Sequence, residues 1–138
     1  MIPLEEFRAE NSEIRDLCDI LSVSIDQYSL RHNNIVCELL GRFADRVNLH
    51  LIHEDRSVYR DLLKQHTHEA DVLADHFLGN TQELKRIFKE YTHGWCSDPH
   101  SEDQHVKYVE ESRHIFRLVC ERITFEEEKI FPYFERSE

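Results

Sequence analysis

Apolar residues recur every three or four positions along most of this chain, and that spacing constrains the fold more than any other feature. Such spacing places side chains on one face of an α-helix and predicts amphipathic helices that bury this face. Only 3 glycines and 3 prolines occur among 138 residues, which leaves little turn material for the hairpins of a sheet protein. We therefore predict an all-α protein built from long helices.

Four helical segments follow from these stripes and from the residues at their ends. Pro3 suits the first turn of a helix, and Asn33 or Asn34 suits the cap of the second. Residues from Gly94 to His100, with Pro99, form the one long loop that the sequence suggests. The predicted helices span about 3–29, 34–65, 69–95 and 101–135. Heptad-like spacing with short connections predicts a single domain over residues 1–138, an up-down-up-down antiparallel four-helix bundle.

Every inner stripe is interrupted by a polar residue. Asn11 interrupts the first stripe, His50 and Glu54 the second, Asn80 the third and Glu126 the fourth. Counted from the shared turns at a rise of ~1.5 Å per residue, these positions fall in one or two adjacent layers. An unpaired polar or charged side chain is costly inside a bundle, so the layer must be compensated. A bound metal ion is the first candidate.

Two short motifs lie in the second and fourth predicted helices. They are His50-Leu51-Ile52-His53-Glu54-Asp55 with Val58-Tyr59, and Glu126-Glu127 with Ile130-Phe131-Pro132. Both resemble the motifs of the hemerythrin and hemerythrin-like (HHE cation-binding) family, and the resemblance covers essentially the whole chain. It implies a hemerythrin-like four-helix bundle with a non-haem di-iron centre, which handles oxygen, nitric oxide or iron supply. For this chain we expect one or two iron ions, or none if the site is degenerate.

The resemblance also implies which residues hold the metal and where this chain departs from the family. The implied ligands are His50, Glu54 and Glu126. Asn11 and Asn80 stand where the first and third helices normally give ligands, and Arg122 stands where the fourth gives its histidine. An amide is a weak iron ligand and a guanidinium cannot ligate. His76, one turn before Asn80, is a further candidate ligand, with a core or boundary histidine as the alternative.

Arg122 limits the metal content that the sequence supports. It lies one turn from Glu126 on the same face and is shaped to clasp one or both carboxylates. With His50 neutral, the charges of Glu54, Glu126 and Arg122 sum to about −1, which suits one metal ion or none better than two. A dinuclear site would require Glu10, Glu13 or Glu83 to turn inward.

Two functional interpretations remain open. In the first, His50, Glu54 and Glu126 hold iron, and Asn11 and Asn80 leave positions for a small diatomic ligand such as O2 or NO. In the second, the site is degenerate, no metal is bound, and the polar layer sets the helix register. The bundle would then act through a protein partner or as a homodimer. We assign no catalytic residue, because no nucleophile elbow, phosphate loop or Ser-His-Asp order occurs.

Charge and cysteine content narrow the partners and the compartment. The net charge of −11 argues against nucleic acid and anionic membrane surfaces. No apolar run approaches the ~20 residues that a membrane span needs, and no signal peptide is recognisable at the N-terminus. The four cysteines, which form no CxxC pair, are predicted to be reduced, and the protein cytoplasmic. The cysteines are Cys18, Cys37, Cys96 and Cys120.

Overall fold

The computed structural model describes residues 3–27, 33–94 and 102–137, except for the side chains of 92–94, 102–104 and 137. These ranges form four helices and contain no strand, so the predicted all-α four-helix bundle is confirmed. Consecutive helices pack against each other, and the last helix closes the ring against the first. The helices are α1 (Leu4–Ser24), α2 (Asn34–Glu54, Asp55–Tyr59 and Arg60–Gln65), α3 (His68–Gly94) and α4 (Glu102–Phe125, Glu126–Ile130 and Phe131–Ser137).

The start and end of α2 have clear local causes. Asn33 caps the helix, since its side-chain oxygen accepts hydrogen bonds from the backbone N–H groups of Ile35 at 2.9 Å and Val36 at 3.3 Å. This confirms the predicted cap. The helix ends at His66, whose φ of 54° lies in the left-handed region that terminates α-helices.

The predicted boundaries near 69 and 135 lie within two residues of the observed His68 and Ser137, and the predicted end of the first helix agrees less well. The α-helical part of α1 stops at Ser24, several residues before the predicted end. The predicted ends at Ser29 and Trp95, the predicted start at Ser101 and most of the predicted loop after Gly94 lie outside the described residues.

A π-helical turn at Asp55–Tyr59 keeps both halves of α2 facing the core. His50, Val58 and Leu62 are buried, as is Glu54, and successive members of this set are four positions apart. Across twelve positions an α-helix would rotate the last residue by ~120° away from the first. A π turn absorbs about one extra residue, which reduces this rotation to ~20°. The wide turn therefore holds the polar residues and the apolar residues after them on one face.

The same arrangement occurs in α4. Arg122, Glu126, Ile130 and Phe134 are all buried at the same spacing of four, and a π-helical turn spans Glu126–Ile130. Arg122 is thus the counterpart in α4 of His50 in α2, as the comparison of the two sequence motifs indicated.

Two apolar clusters enclose the polar layer, and one lies on each side of it along the bundle. The layer is therefore surrounded by hydrocarbon, where charges interact strongly and solvation is poor. Large members of the first cluster are Ile14, Leu21, Phe43, Leu51, Phe88, Phe116 and Ile123. Those of the second are Phe7, Val58, Leu62, Phe77, Ile130, Phe131 and Phe134.

The cysteines do not all match the prediction. Cys37 is disulfide-bonded, so the prediction of a reduced thiol is wrong for this residue. Cys18 and Cys120 are free, and their thiols share a hydrogen bond between α1 and α4. Spacing along the chain does not reveal which sulfur atoms meet in space, which is why the disulfide was missed. Among the described residues, no helix combines the length and the apolar character needed to cross a bilayer.

Candidate metal centre

The three residues that the family resemblance implied as ligands meet in the buried layer. His50 Nε2 lies 3.1 Å from Glu54 Oε1 and 2.9 Å from Glu126 Oε1. One donor atom from each residue lies within 4.8 Å of the other two, and all three residues are buried. Neighbouring donors around an octahedral ion with bonds of ~2.1 Å are about 3 Å apart. The cluster therefore has the chemistry and the spacing to hold a divalent cation.

Arg122 lies in the same layer and bridges both carboxylates. Its Nε donates a hydrogen bond to Glu126 Oε2 at 2.7 Å, and its Nη2 donates one to Glu54 Oε1 at 3.2 Å. The side chain is 2% exposed, and its Cζ lies 3.9 Å from the centroid of the Phe77 ring. The predicted clasp is thus confirmed for both carboxylates.

Helix α3 contributes the remaining partners of Arg122. The Nη1 group donates to Asn80 Oδ1 at 2.9 Å, to Thr81 Oγ1 at 2.8 Å and to the Phe77 carbonyl oxygen at 3.4 Å. Asn80 is therefore held by Arg122, and this amide oxygen is not an open position. Thr81 is buried, whereas Asn80 is only half-buried. The sequence missed Thr81 because positions 80 and 81 both fit the helical spacing between Phe77 and Leu84.

Glu10 is the residue of this site that sequence reasoning placed least well. The sequence predicts an inward role for it only as one of three glutamates that could complete a dinuclear site. Its carboxylate accepts hydrogen bonds from His50 Nδ1 at 2.5 Å and from His53 Nδ1 at 3.2 Å. A carboxylate on the second nitrogen of a ligating histidine is the usual support in metal sites, since it orients the ring. Of the other two glutamates, Glu13 contacts Arg46 at 3.1 Å, and Glu83 is exposed.

Three buried polar atoms in this layer have no hydrogen-bond partner within the described part of the chain. They are both amide atoms of Asn11 and the Oε2 atom of Glu54. Asn11 is 1% exposed and Glu54 is 0% exposed, so bulk water does not satisfy them. Each unsatisfied buried group costs on the order of 1–3 kcal/mol. The layer therefore has unused polar capacity for a small ligand, a water molecule or an ion.

His76, His105 and His114 lie outside the cluster of possible ligands. His76, a further candidate ligand, is exposed, and its ring stacks on Phe125 with centroids 4.0 Å apart. His114 is exposed as well and accepts a hydrogen bond from Arg117 at 2.8 Å. His105 is buried.

Burial and hydrogen bonding change the protonation of the two ligands on α2. Burial alone lowers the pKa of His50, but the charge of Glu54 and hydrogen bonds to Glu10, Glu126 and Glu54 outweigh it and raise this pKa to about 12. Burial and the charge of Glu126 raise the pKa of Glu54 to about 8. These pKa shifts favour a protonated His50 and a neutral Glu54 at neutral pH.

The charges of the layer then balance without a metal ion. Burial also raises the pKa of Glu126, but hydrogen bonds with Glu54 and His50 and the charge of Arg122 hold it well below its usual range. Burial likewise raises the pKa of Glu10, and its hydrogen bonds with His50 and His53 lower it overall. Two cations, His50 and Arg122, thus face two anions, Glu10 and Glu126. This corrects the charge count made from the sequence, in which His50 was neutral.

These features define an all-α bundle whose core carries a buried cluster of histidine and carboxylate donors. The Hemerythrin HHE cation binding domain matches residues 2–134 of the chain, and the chain belongs to this family. No curated protein and no solved structure matches the sequence of this chain.

We expect the metal-free protein to lose stability as the pH rises from about 5 to about 8. In this range the folded state keeps Glu54 protonated up to its raised pKa of about 8, whereas the unfolded chain ionises it near 4.5. The protonated His50 adds to the decline above its ordinary pKa of 6.5. The Glu54→Gln variant keeps the neutral shape and should flatten the decline by up to about 1.4 kcal/mol per pH unit.

Urea denaturation in EDTA at several pH values measures this effect. Glu69→Gln is the matched control, because Glu69 is exposed and should not alter the slope. If wild type and Glu54→Gln lose stability equally with pH, the proton assigned to Glu54 is misplaced.

Replacing Arg122 by methionine should destabilise the fold by about 3–5 kcal/mol, because the buried Glu126 carboxylate loses a cationic partner and Glu54 loses a hydrogen-bond donor. Arg136→Met is the control, since Arg136 and Glu69 form a pair with both side chains more than 60% exposed. Its loss should cost less than about 1 kcal/mol. Urea denaturation at neutral pH compares the two, and equal losses would contradict the bridging role of Arg122.

Proposed function

We propose that this protein binds one divalent cation through His50, Glu54 and Glu126. The observation that carries the proposal is the meeting of three donor atoms from two helices in a buried layer, with Glu10 holding the other nitrogen of His50. One imidazole and two carboxylates suit iron(II), and manganese(II) has similar preferences. Iron is the cation that the family likeness suggests.

Arg122 supports one ion over two. Its guanidinium already brings one positive charge to Glu54 and Glu126, and it has no lone pair to offer a metal. It also occupies the position in α4 that corresponds to His50 in α2, so the second half of the site lacks an imidazole. A second ion would lie beside a fixed positive charge in a low-dielectric interior, which is unfavourable.

Binding of a divalent ion would replace two protons. His50 must lose a proton to offer a lone pair, and Glu54 must ionise to bind through its carboxylate. Glu10 and Glu126 are already ionised and Arg122 stays charged. The exchange of two protons for one divalent ion therefore keeps the net charge of the layer at zero, which removes the main electrostatic objection to a buried cation.

We further propose that the loaded site binds or senses a small ligand such as O2 or NO. A ferrous ion held by three protein donors has further coordination positions for such a ligand. Asn11 supports this role, because both of its buried amide atoms lack partners among the described residues. Its N–H2 group would donate a hydrogen bond to the ligand. We assign a binding function over an enzymatic one.

The second candidate function is that of a metal-free bundle that acts through a partner. The charge balance of the polar layer favours this alternative. Two cations and two anions already neutralise each other, and Arg122 contacts both carboxylates. Such a layer would set helix register, and the bundle would act through a protein partner or a second copy. The cytoplasmic location also stays a prediction, and the disulfide at Cys37 is unusual in a reducing compartment.

Chain purified without a His tag and loaded anaerobically with iron(II) should hold about one ion per molecule and melt at a higher temperature. His50→Ala should abolish both effects, because it removes the only imidazole donor of the cluster. His114→Ala, which alters an exposed histidine, should retain both. Elemental analysis and thermal melts with and without chelator measure the outcome.

The alternatives give distinct results in the same experiment. Two ions per chain would contradict the role of Arg122 in limiting the site. Retention of iron in His50→Ala would refute the assigned ligands. A wild-type chain that holds no ion, and whose melting temperature does not change when chelator is added, would establish the metal-free alternative.

Cation affinity should rise about 100-fold when the pH rises from about 6 to about 7, because two protons leave on binding. Both protons are held in this range, since the pKa values of His50 and Glu54 are raised to about 12 and about 8. Calorimetry with manganese(II) in buffers of different ionisation enthalpy should count about two protons released. Glu54→Gln should release about one, and a pH-independent affinity would contradict the proton exchange.

A further inference from the structure

Hydrogen-bonded side chains connect the buried layer to solvent between α1 and α2. The side chain of His53 is 51% exposed, that of Glu10 is 29% exposed and that of His50 is 3% exposed. His53 Nδ1 lies 3.2 Å from one Glu10 oxygen, and His50 Nδ1 lies 2.5 Å from the other. His50 Nε2 then contacts Glu54 and Glu126, which are fully buried. Exposure thus falls step by step from the surface to the candidate ligands.

A cavity lies along the outer part of this connection, and His50 is the candidate ligand in its walls. It has a volume of about 60 Å³, more than the ~10–15 Å³ that one water molecule requires. Its walls include Glu10, Glu13, Arg46, Leu49, His50 and His53. The larger grooves described elsewhere on the surface have none of the three candidate ligands in their walls.

Aromatic rings cover other sides of the layer. Phe7 meets the ring of His50 edge-on with centroids 5.7 Å apart, and Phe77 lies against the guanidinium of Arg122 at 3.9 Å. Glu54 and Glu126 have no exposed surface. A hydrated cation that approached from these sides would have to cross hydrocarbon, which is strongly unfavourable.

The mouth of the cavity carries donors suited to a cation. Glu10 Oε2 and His53 Nδ1 are 3.2 Å apart, close to the 3.1 Å between His50 Nε2 and Glu54 Oε1 inside the layer. Carboxylate and imidazole are again the donor types. The charge of nearby Glu13 is offset by Arg46 at 3.1 Å, so Glu10 provides the negative charge at this point.

We propose that the cleft between α1 and α2 is the route by which a divalent transition-metal ion reaches the buried ligands, with Glu10 and His53 as an outer capture site. This inference rests on the proposed cation-binding function. An ion held first by Glu10 and His53 exchanges part of its water before it moves inward to His50, Glu54 and Glu126. The ion passes the capture site both when it binds and when it leaves. The capture site therefore changes the association and dissociation rates more than the equilibrium affinity.

Stopped-flow mixing with excess cobalt(II), followed by its visible absorbance, tests the route. His53→Ala should slow association at least fivefold and slow dissociation similarly, with the equilibrium affinity unchanged within about twofold. His114→Ala is the matched control, since this exposed histidine lines the groove between α3 and α4 together with Glu83 and Glu90. It should load at the wild-type rate.

A second variant blocks the cleft without altering a donor. Leu49 lines the cavity and is 46% exposed, so Leu49→Trp should fold normally and narrow the opening. We expect it to slow association and dissociation together. Val72→Trp, at a 53% exposed position on α3, is its control and should leave both rates unchanged. Circular dichroism confirms that each variant is folded.

The outcomes separate the route from the function. A wild-type chain that binds cobalt(II), with His53→Ala and Leu49→Trp loading at the wild-type rate, overturns the route and leaves the proposed function intact. Loss of affinity in His53→Ala without a change in association rate also overturns it. A wild-type chain that takes up no ion overturns the proposed function and this inference together.

Discussion

The buried guanidinium of Arg122 is the interaction on which the rest of this structure depends. It joins carboxylates from α2 and α4 and also binds polar groups of α3, so one side chain ties three helices at one height. Without it, Glu54 and Glu126 would have only His50 as a cationic partner in the surrounding hydrocarbon. The same charge that permits both to be buried also restricts how much further positive charge the layer can accept.

Helix α1, the one helix that Arg122 does not contact among the described residues, joins this layer through a different side chain. Glu10 of α1 accepts a hydrogen bond from His50 of α2, so every helix contributes a polar group at the same level. Such contacts specify register, because sliding one helix by a turn would leave several buried charges unpaired. Asn11 is the exception, since its amide is buried without a partner among the described residues. Unfavourable groups of this kind concentrate at functional sites, where binding a ligand compensates the cost.

Much of the architecture follows from spacing. The four stripes predicted four helices, and the polar interruptions at Asn11, His50, Glu54 and Glu126 were each predicted to face the interior, where the structure buries them. The prediction that Asn80 faces the interior was less accurate, because adjacent positions on a helix differ by only ~100° and Thr81 fits the same stripe. The role of Glu10 followed from no stripe at all. It lies beside the inward face of α1 and reaches the site only because α2 places His50 opposite it.

The sequence by itself therefore determined the fold class, the level of the polar layer and the residue types in it, since these depend on periodicity along single helices. It did not determine protonation or connectivity. The raised pKa values of His50 and Glu54, and the bridge from Arg122 to both carboxyl groups, depend on distances between helices and on burial. The tertiary structure also decided where the layer meets solvent, because the cleft between α1 and α2 is formed by residues from both helices.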